Sequence, residues 1–237
     1  MNHCLWCDEE IKGNASWREV FFLAGRDILC ASCRGGLEFL AEPLCGVCGR
    51  SLEGLDEGYR HGDVCYDCVR WEEGPWRGIF VKNRSLCRYN SFLREIIARY
   101  KFRGDAVMVK GIRREWEQLY ERDFAGMVAV PIPLSKERLY ERGFNQAFEL
   151  ANLLPVNVCE VLERPAHEQK QSKKTRKERL NLGVPVFRLH GKPSEIEGEN
   201  VVLVDDIYTT GATVRQAAKV LLKGGAASVH SITLARG

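Results

Sequence analysis

No stretch of this 237-residue chain approaches the roughly 20 consecutive apolar residues that a membrane-spanning helix requires. Met1 to Asp8 carries no basic-then-apolar pattern, so no secretory leader is read there and a cytoplasmic protein is expected. The second half shows no internal repeat, and the only biased segment is one basic stretch. The first 76 residues lack a large apolar core, so metal binding is expected to supply their folding energy. Charge is plentiful but unevenly shared. Residues 1–76 hold 7 Lys/Arg against 14 Asp/Glu, a balance of −7, while residues 77–237 hold 28 against 18, a balance of +10. Any bound polyanion should therefore prefer the second part; the bland alternative is two solvated surfaces. The length accommodates one α/β domain plus a small module.

What is present begins with cysteine. Eight of ten cysteines form four Cys-x-x-Cys pairs: Cys4/Cys7, Cys30/Cys33, Cys45/Cys48 and Cys65/Cys68. A tight turn of this spacing aims two thiolates at one metal while its backbone N–H groups donate to the sulfurs, and two such turns complete a tetrahedral Cys4 zinc site. Four pairs weigh against a disulfide framework in a cytoplasmic chain and against a redox role, which needs only one reactive thiol. A closed four-thiolate site has no open position for chemistry, so two structural Zn2+ ions are expected. Spacing leaves two pairings open: sequential sites of Cys4, Cys7, Cys30, Cys33 and of Cys45, Cys48, Cys65, Cys68, or a cross-braced arrangement. Cys87 and Cys159 stand outside the pairs and read as small core residues.

Gly74-Pro75-Trp76 marks a boundary between a cysteine-rich module, residues 1–76, and a second domain, residues 77–237. In that domain the pattern predicts an extended stretch from Ile79 to Tyr89. A helix capped by Asn90 or Ser91 follows through Tyr100, Gly104-Asp105 breaks it, and a second, amphipathic helix runs to about Arg122. Strands are predicted at Met127–Ile132, Val201–Val204 and Val229–Leu234, with helices at Phe144–Leu154 and Thr213–Leu222. Strands separated by helices imply an α/β fold with a mainly parallel sheet flanked by helices.

The most informative segment runs Val201-Val202-Leu203-Val204-Asp205-Asp206-Ile207-Tyr208-Thr209-Thr210-Gly211-Ala212-Thr213. An apolar strand delivers two carboxylates to its C-terminal end, where open α/β sheets bind ligands. Thr209, Thr210 and Thr213 offer hydroxyls, Gly211 lets backbone N–H groups approach an anion, and the helix start that follows adds free N–H groups. Adjacent carboxylates suit a vicinal diol, so phosphate and diol together describe a ribose 5-phosphate. The competing explanations are an ordinary capped strand–turn–helix and a metal site built by Asp205 and Asp206 alone.

This segment resembles the binding signature of type I phosphoribosyltransferases, which use 5-phosphoribosyl 1-pyrophosphate (PRPP) with Mg2+. The resemblance implies that Asp205 and Asp206 hold the ribose hydroxyls at the catalytic centre, and that Thr209, Thr210, Gly211, Ala212 and Thr213 hold the 5-phosphate. Over nearly the whole chain, the four cysteine pairs, Tyr100-Lys101-Phe102-Arg103-Gly104-Asp105, Val130-Pro131-Ile132-Pro133 and Glu141-Arg142-Gly143-Phe144-Asn145-Gln146 are similar to the ComF family of bacterial competence proteins. That family is associated with natural transformation and the handling of imported single-stranded DNA. The resemblance makes Pro133, Leu134, Ser135 and Lys136 candidates for a pyrophosphate loop, with Lys101, Arg103 and Arg142 as candidate cations at its edge. It also places the basic stretch Arg164–Arg179, with Lys173, Lys174, Arg176, Lys177 and Arg179, where the fold often has a lid. Single-stranded DNA could use the same charges, and a solvated loop is the bland alternative.

Two functions follow from these expectations. One is a competence-associated protein: a PRPP-binding domain that handles single-stranded DNA and meets DNA-uptake proteins through its zinc module. The other is an active cytosolic phosphoribosyltransferase whose acceptor base no residue identifies.

Overall fold

The structure, a computed structural model, describes residues 3–11, 28–102, 105–165 and 186–237. Cys30 caps a one-turn helix, α1 (Ala31–Gly35), its sulfur accepting from Cys33 N. A minimal hairpin of β1 (Arg60–His61) and β2 (Val64–Cys65) leads into α2 (Tyr66–Glu72), which carries Cys68. Beyond these lie β3 (Asn83–Arg88), α3 (Ser91–Phe102), a 3-10 segment (Ala106–Ile112) and α4 (Arg113–Phe124). Next come β4 (Val128–Pro131), α5 (Lys136–Arg142), α6 (Gln146–Ala151) and the short pair β5 (Leu162–Glu163) and β6 (Arg188–Leu189). The chain closes with β7 (Asn200–Tyr208), α7 (Ala212–Lys223) and β8 (Ser228–Arg236).

The central sheet has four parallel strands in the order β3-β8-β7-β4. Successive strand residues point to opposite faces, and the apolar run of β7 feeds two cores accordingly. Val202 and Val204, with Ile232 and Leu234 of β8, pack with α3, α4 and the first cysteine group. Val201 and Leu203, with Val229, pack with α7 and the second cysteine group. Each cysteine group thus belongs to a different face of one sheet.

Several boundaries differ from those the sequence predicts. Asn90 caps α3 as expected, its Oδ1 accepting from Leu93 N at 2.8 Å. The second helix expected, running to about Arg122, begins instead as the 3-10 segment, which buries Met108, Val109 and Ile112, and becomes α-helical only at Arg113. The helix expected over Phe144–Leu154 is shorter because Gly143 turns left-handed and Asn145 caps Gln146 onward. Most consequential, the strand expected to end at Val204 runs to Tyr208, because β8 continues beside it, pairing Asp205 with Thr233 and Tyr208 with Arg236. The two acids are therefore strand residues. Cys87 and Cys159 are buried in the core, as their isolation in sequence implies.

Candidate functional site

The C-terminal ends of β7 and β4 lie side by side. Pro131 is in register with Val204, and Ile132 N donates to Val204 O at 2.9 Å. The Pro133–Lys136 loop therefore leaves the sheet next to the acidic pair. Ser135 caps α5 by accepting from Arg138 N at 3.4 Å, and Asn145 Nδ2 anchors the loop's start by donating to Ile132 O at 3.2 Å. Asn145, part of the Glu141–Gln146 motif, thus plays a structural part, capping α6 and tethering this loop. Arg142 donates to Gln146 Oε1 at 2.7 Å, and Tyr100 Oη donates to Gln146 O at 2.8 Å.

Asp206 accepts an ion pair from Lys101 Nζ of α3, both side chains largely shielded from solvent. Asp205 Oδ1 accepts from the amide of Asp206 at 2.9 Å. Burial, and then the neighbouring Asp206 carboxylate, push the Asp205 carboxyl up to about 8. Lys101 thus faces one acid of the pair, while burial favours the protonated form of the other. Arg164, half-buried at the near end of the basic stretch, feels both Asp205 and Arg138. Burial first, then Arg138, hold its guanidinium below the ordinary value. Arg103, Lys173, Lys174, Arg176, Lys177 and Arg179 lie outside the described residues.

The loop after β7 is open. Thr209, Thr210 and Thr213 are exposed, so three hydroxyls face solvent at the start of the 12-residue helix α7. Gly211 sits at its cap with φ +80°, and a Cβ there would lie 2.2 Å from Tyr208 Oη and 2.3 Å from Arg215 Nη1. Only glycine fits that space and that conformation. With Thr210 Oγ1 accepting from Ala212 N at 3.4 Å, the loop brings three exposed hydroxyls to the start of a helix, an arrangement chemically suited to an oxyanion.

Sequence reasoning misses what lies behind this loop. Trp71 Nε1 donates to Thr210 O at 3.1 Å, and Arg215, fully buried, donates to Tyr208 Oη at 2.9 Å. The one signal for Arg215 is its position four residues past Gly211, one helical turn into α7; nothing in the sequence singles out Trp71.

The cysteines resolve the open pairing. Cys4, Cys7, Cys30 and Cys33 converge, as do Cys45, Cys48, Cys65 and Cys68, with all sulfurs of each set within 4.8 Å of one another. Cys7 and Cys30 sulfurs are 3.6 Å apart, and so are those of Cys48 and Cys65. A tetrahedron of Zn–S bonds near 2.3 Å has edges of about 3.8 Å, whereas a disulfide is about 2.05 Å. Backbone amides of Cys30 and Cys65 donate to Cys4 and Cys45 sulfurs at 3.2 and 3.3 Å. Both sets fit structural zinc in the sequential arrangement.

Fold, loop and cysteine sets together define a phosphoribosyltransferase-type domain behind a double zinc ribbon. The phosphoribosyl transferase domain family matches residues 140–237, and the double zinc ribbon domain family matches residues 2–69. Competence protein ComFC of Bacillus subtilis is 40% identical, over 98% of this chain and 94% of the relative. Competence protein ComFC of Streptococcus pneumoniae is 31% identical, over 98% and 99%. DNA utilization protein YhgH of Escherichia coli is 28% identical, over 88% and 96%. The chain belongs to the ComFC family of competence proteins. Among the described residues no helix is long and apolar enough to cross a membrane.

Proposed function

We propose that this chain binds PRPP, or a related ribose phosphate, at the end of β7, and uses that site within cytoplasmic handling of imported single-stranded DNA. The observation that carries the ligand is the exposed Thr209–Thr213 loop, shaped by a left-handed Gly211, next to the Asp205/Asp206 pair. In this reading the loop amides and hydroxyls take the 5-phosphate, Asp205 and Asp206 take the ribose hydroxyls, and the Pro133–Lys136 loop faces the pyrophosphate. Mg2+ carried with PRPP supplies charge neutralisation at the diphosphate. The DNA role comes to this chain from its relatives' names and from the +10 balance of residues 77–237. The basic residues Lys173, Lys174, Arg176 and Lys177 carry DNA phosphates, and the acidic ribbon module meets DNA-uptake proteins.

Calorimetry with PRPP and Mg2+ tests the ligand. Wild type should bind and Asp206→Ala should weaken binding about tenfold or more, the scale of a lost charge-assisted contact. Absence of binding by wild type overturns the reading. For DNA, affinity should fall steeply with salt and drop when the four basic residues become Ala; unchanged affinity refutes that surface.

A second reading is an active transferase. It is favoured by Asp205, whose raised carboxyl can exchange a proton near neutral pH beside the bound sugar. Release of pyrophosphate from PRPP in the presence of candidate bases, lost in Asp205→Asn, separates transfer from binding alone.

A further inference from the structure

Among the described residues two arginines are buried, Arg236 and Arg215, and Arg215 has no exposed surface. A buried cation ordinarily finds a carboxylate, yet among the described residues none pairs with it. Its guanidinium lies instead between two aromatic rings, 4.6 Å from Trp71 and 5.2 Å from Phe80. Nη1 reaches Tyr208 Oη at 2.9 Å and Gly211 O at 3.4 Å, while Nε and Nη2 have no hydrogen-bond partner. Such stacking suits a planar, weakly hydrated guanidinium and would not suit lysine. The burial therefore serves something other than charge pairing, and what it touches is the phosphate loop.

Trp71 touches the same loop from the other side, through Nε1 to Thr210 O. It stands three residues after Cys68 on α2, one helical turn from a metal ligand, and Cys65 begins that helix. Seven residues do not make a stable helix alone, so the Cys45/Cys48/Cys65/Cys68 site fixes where Trp71 points. Tyr208, the third contact, is covered by Arg236, 5.0 Å from its ring, whose Nη2 reaches Cys48 Sγ at 3.6 Å. Two routes thus run from the second cysteine site to residues 208–211, one through Trp71 and one through Arg236 and Tyr208.

We propose that Trp71 and Arg215 are positioning residues of the phosphate loop, so that the second zinc ribbon is a wall of the ligand site. Trp71 holds Thr210 and stacks Arg215; Arg215 holds Gly211 and Tyr208 and places an unneutralised positive charge beneath the anion nest. In its ligand consequence this rests on the phosphate reading of the loop. In its structural consequence it does not, and the test uses both.

The experiment pairs hydrogen–deuterium exchange of the ligand-free, zinc-loaded protein with PRPP calorimetry in Mg2+. The variants are Trp71→Ala, Trp71→Phe, Arg215→Lys and, as a control on the exposed face of the same helix, Tyr66→Ala. Trp71→Ala and Arg215→Lys should raise exchange of the 208–213 amides about tenfold, a local opening, while β3 and β8 amides stay unchanged. The same variants should weaken PRPP about tenfold with zinc content intact. Trp71→Phe, which keeps a ring over Arg215 but loses the Nε1 hydrogen bond to Thr210, should fall between wild type and Trp71→Ala in both measurements, and Tyr66→Ala should show neither effect. If Trp71→Ala fails to fold, Arg215→Lys and Trp71→Phe carry the same measurements. Loop exchange unchanged in Arg215→Lys and the Trp71 variants overturns the inference, whatever the ligand. Loosened loops in a protein whose wild type ignores PRPP sustain the wall and sink the phosphate reading instead.

Discussion

The first cysteine site leaves Cys7 exposed and rests on the α3 side of the sheet, whereas the second buries all four cysteines and ends against the Thr209–Thr213 loop. On the first side, Trp6 donates through Nε1 to Met108 O at 2.9 Å and accepts through its carbonyl from Arg99 of α3. That helix also carries Lys101, the partner of Asp206. On the second side, Trp71 meets the loop directly and Arg84 donates to the carbonyls of Cys45 and Gly46 at 3.4 and 3.2 Å. One ribbon therefore reaches the Asp205/Asp206 pair through an intervening helix, and the other reaches the Thr209–Thr213 loop by contact. What this teaches is that similar cysteine modules acquire different roles from the sheet face on which each is docked.

The largest effect that would break this comparison concerns the metal ligands. Binding of a structural zinc is worth about 10–16 kcal/mol in small zinc domains, more than the net stability of most folds. Cys68→Ser should lower zinc content by one equivalent, drop the melting temperature sharply and abolish PRPP binding. Cys7→Ser, at the exposed corner of the first site, should cost zinc and some stability but retain measurable binding. Equal losses in both variants would erase the distinction.

Next in size is Gly211→Ala. The added methyl meets Tyr208 Oη and Arg215 Nη1 inside contact distance and forces a left-handed residue to carry a Cβ. Overpacking and αL strain together predict about 2–4 kcal/mol lost in chemical denaturation, with PRPP binding lost as well. The same substitution at Gly78, where the Cβ would meet nothing within 4 Å, should cost only the strain.

A smaller effect follows from the acid pair. The folded chain keeps Asp205 protonated up to about 8, above its ordinary 3.8, so folding is favoured at low pH and stability is lost as pH rises through about 8. Between pH 6 and 8.5, Asp205→Asn should therefore gain about 2–3 kcal/mol on wild type. Parallel stability curves across that range would place the proton elsewhere.

The smallest effect belongs to the first ribbon's rim. Arg34 of α1 pairs with Glu115 of α4 while 41% exposed, and such pairs contribute about 0–1 kcal/mol. Arg34→Ala should barely move the melting temperature and should leave PRPP affinity untouched.

Much of this architecture is legible in the chain because its signals are local. Val201–Val204 followed by Asp205-Asp206 and Thr209-Thr210-Gly211 announces strand, acids and loop in order, and Cys-x-x-Cys spacing announces knuckles. The partnership of the knuckles is not local: Cys4/Cys7 and Cys30/Cys33 are joined by folding, and spacing alone permits the crossed pairing too. The extension of β7 through two acids is illegible for a related reason, since only the neighbouring β8 makes strand the best conformation there. Trp71 and Arg215 are farther still from legibility. A tryptophan on a seven-residue helix and an arginine on an amphipathic one carry no hint that they stack on each other 144 positions apart.

The sheet order carries a consequence for how the molecule is made. Among the described residues strand β3 has a single strand neighbour, β8, and Asn83 bonds to Ser231 across 148 positions, Ser231 Oγ donating to Asn83 Oδ1 at 2.8 Å. During synthesis β3 emerges long before its mate exists, and such distant parallel pairing is slow to form. The Cys45/Cys48 knuckle already holds that strand's leading end, Asn83 donating through its amide to Val47 O at 2.6 Å and through Nδ2 to Cys48 O at 3.1 Å. Two donors of the first residue of β3 are thus taken up by a turn made early in the chain, a contact of short sequence separation beside one that must wait for the last-made segment.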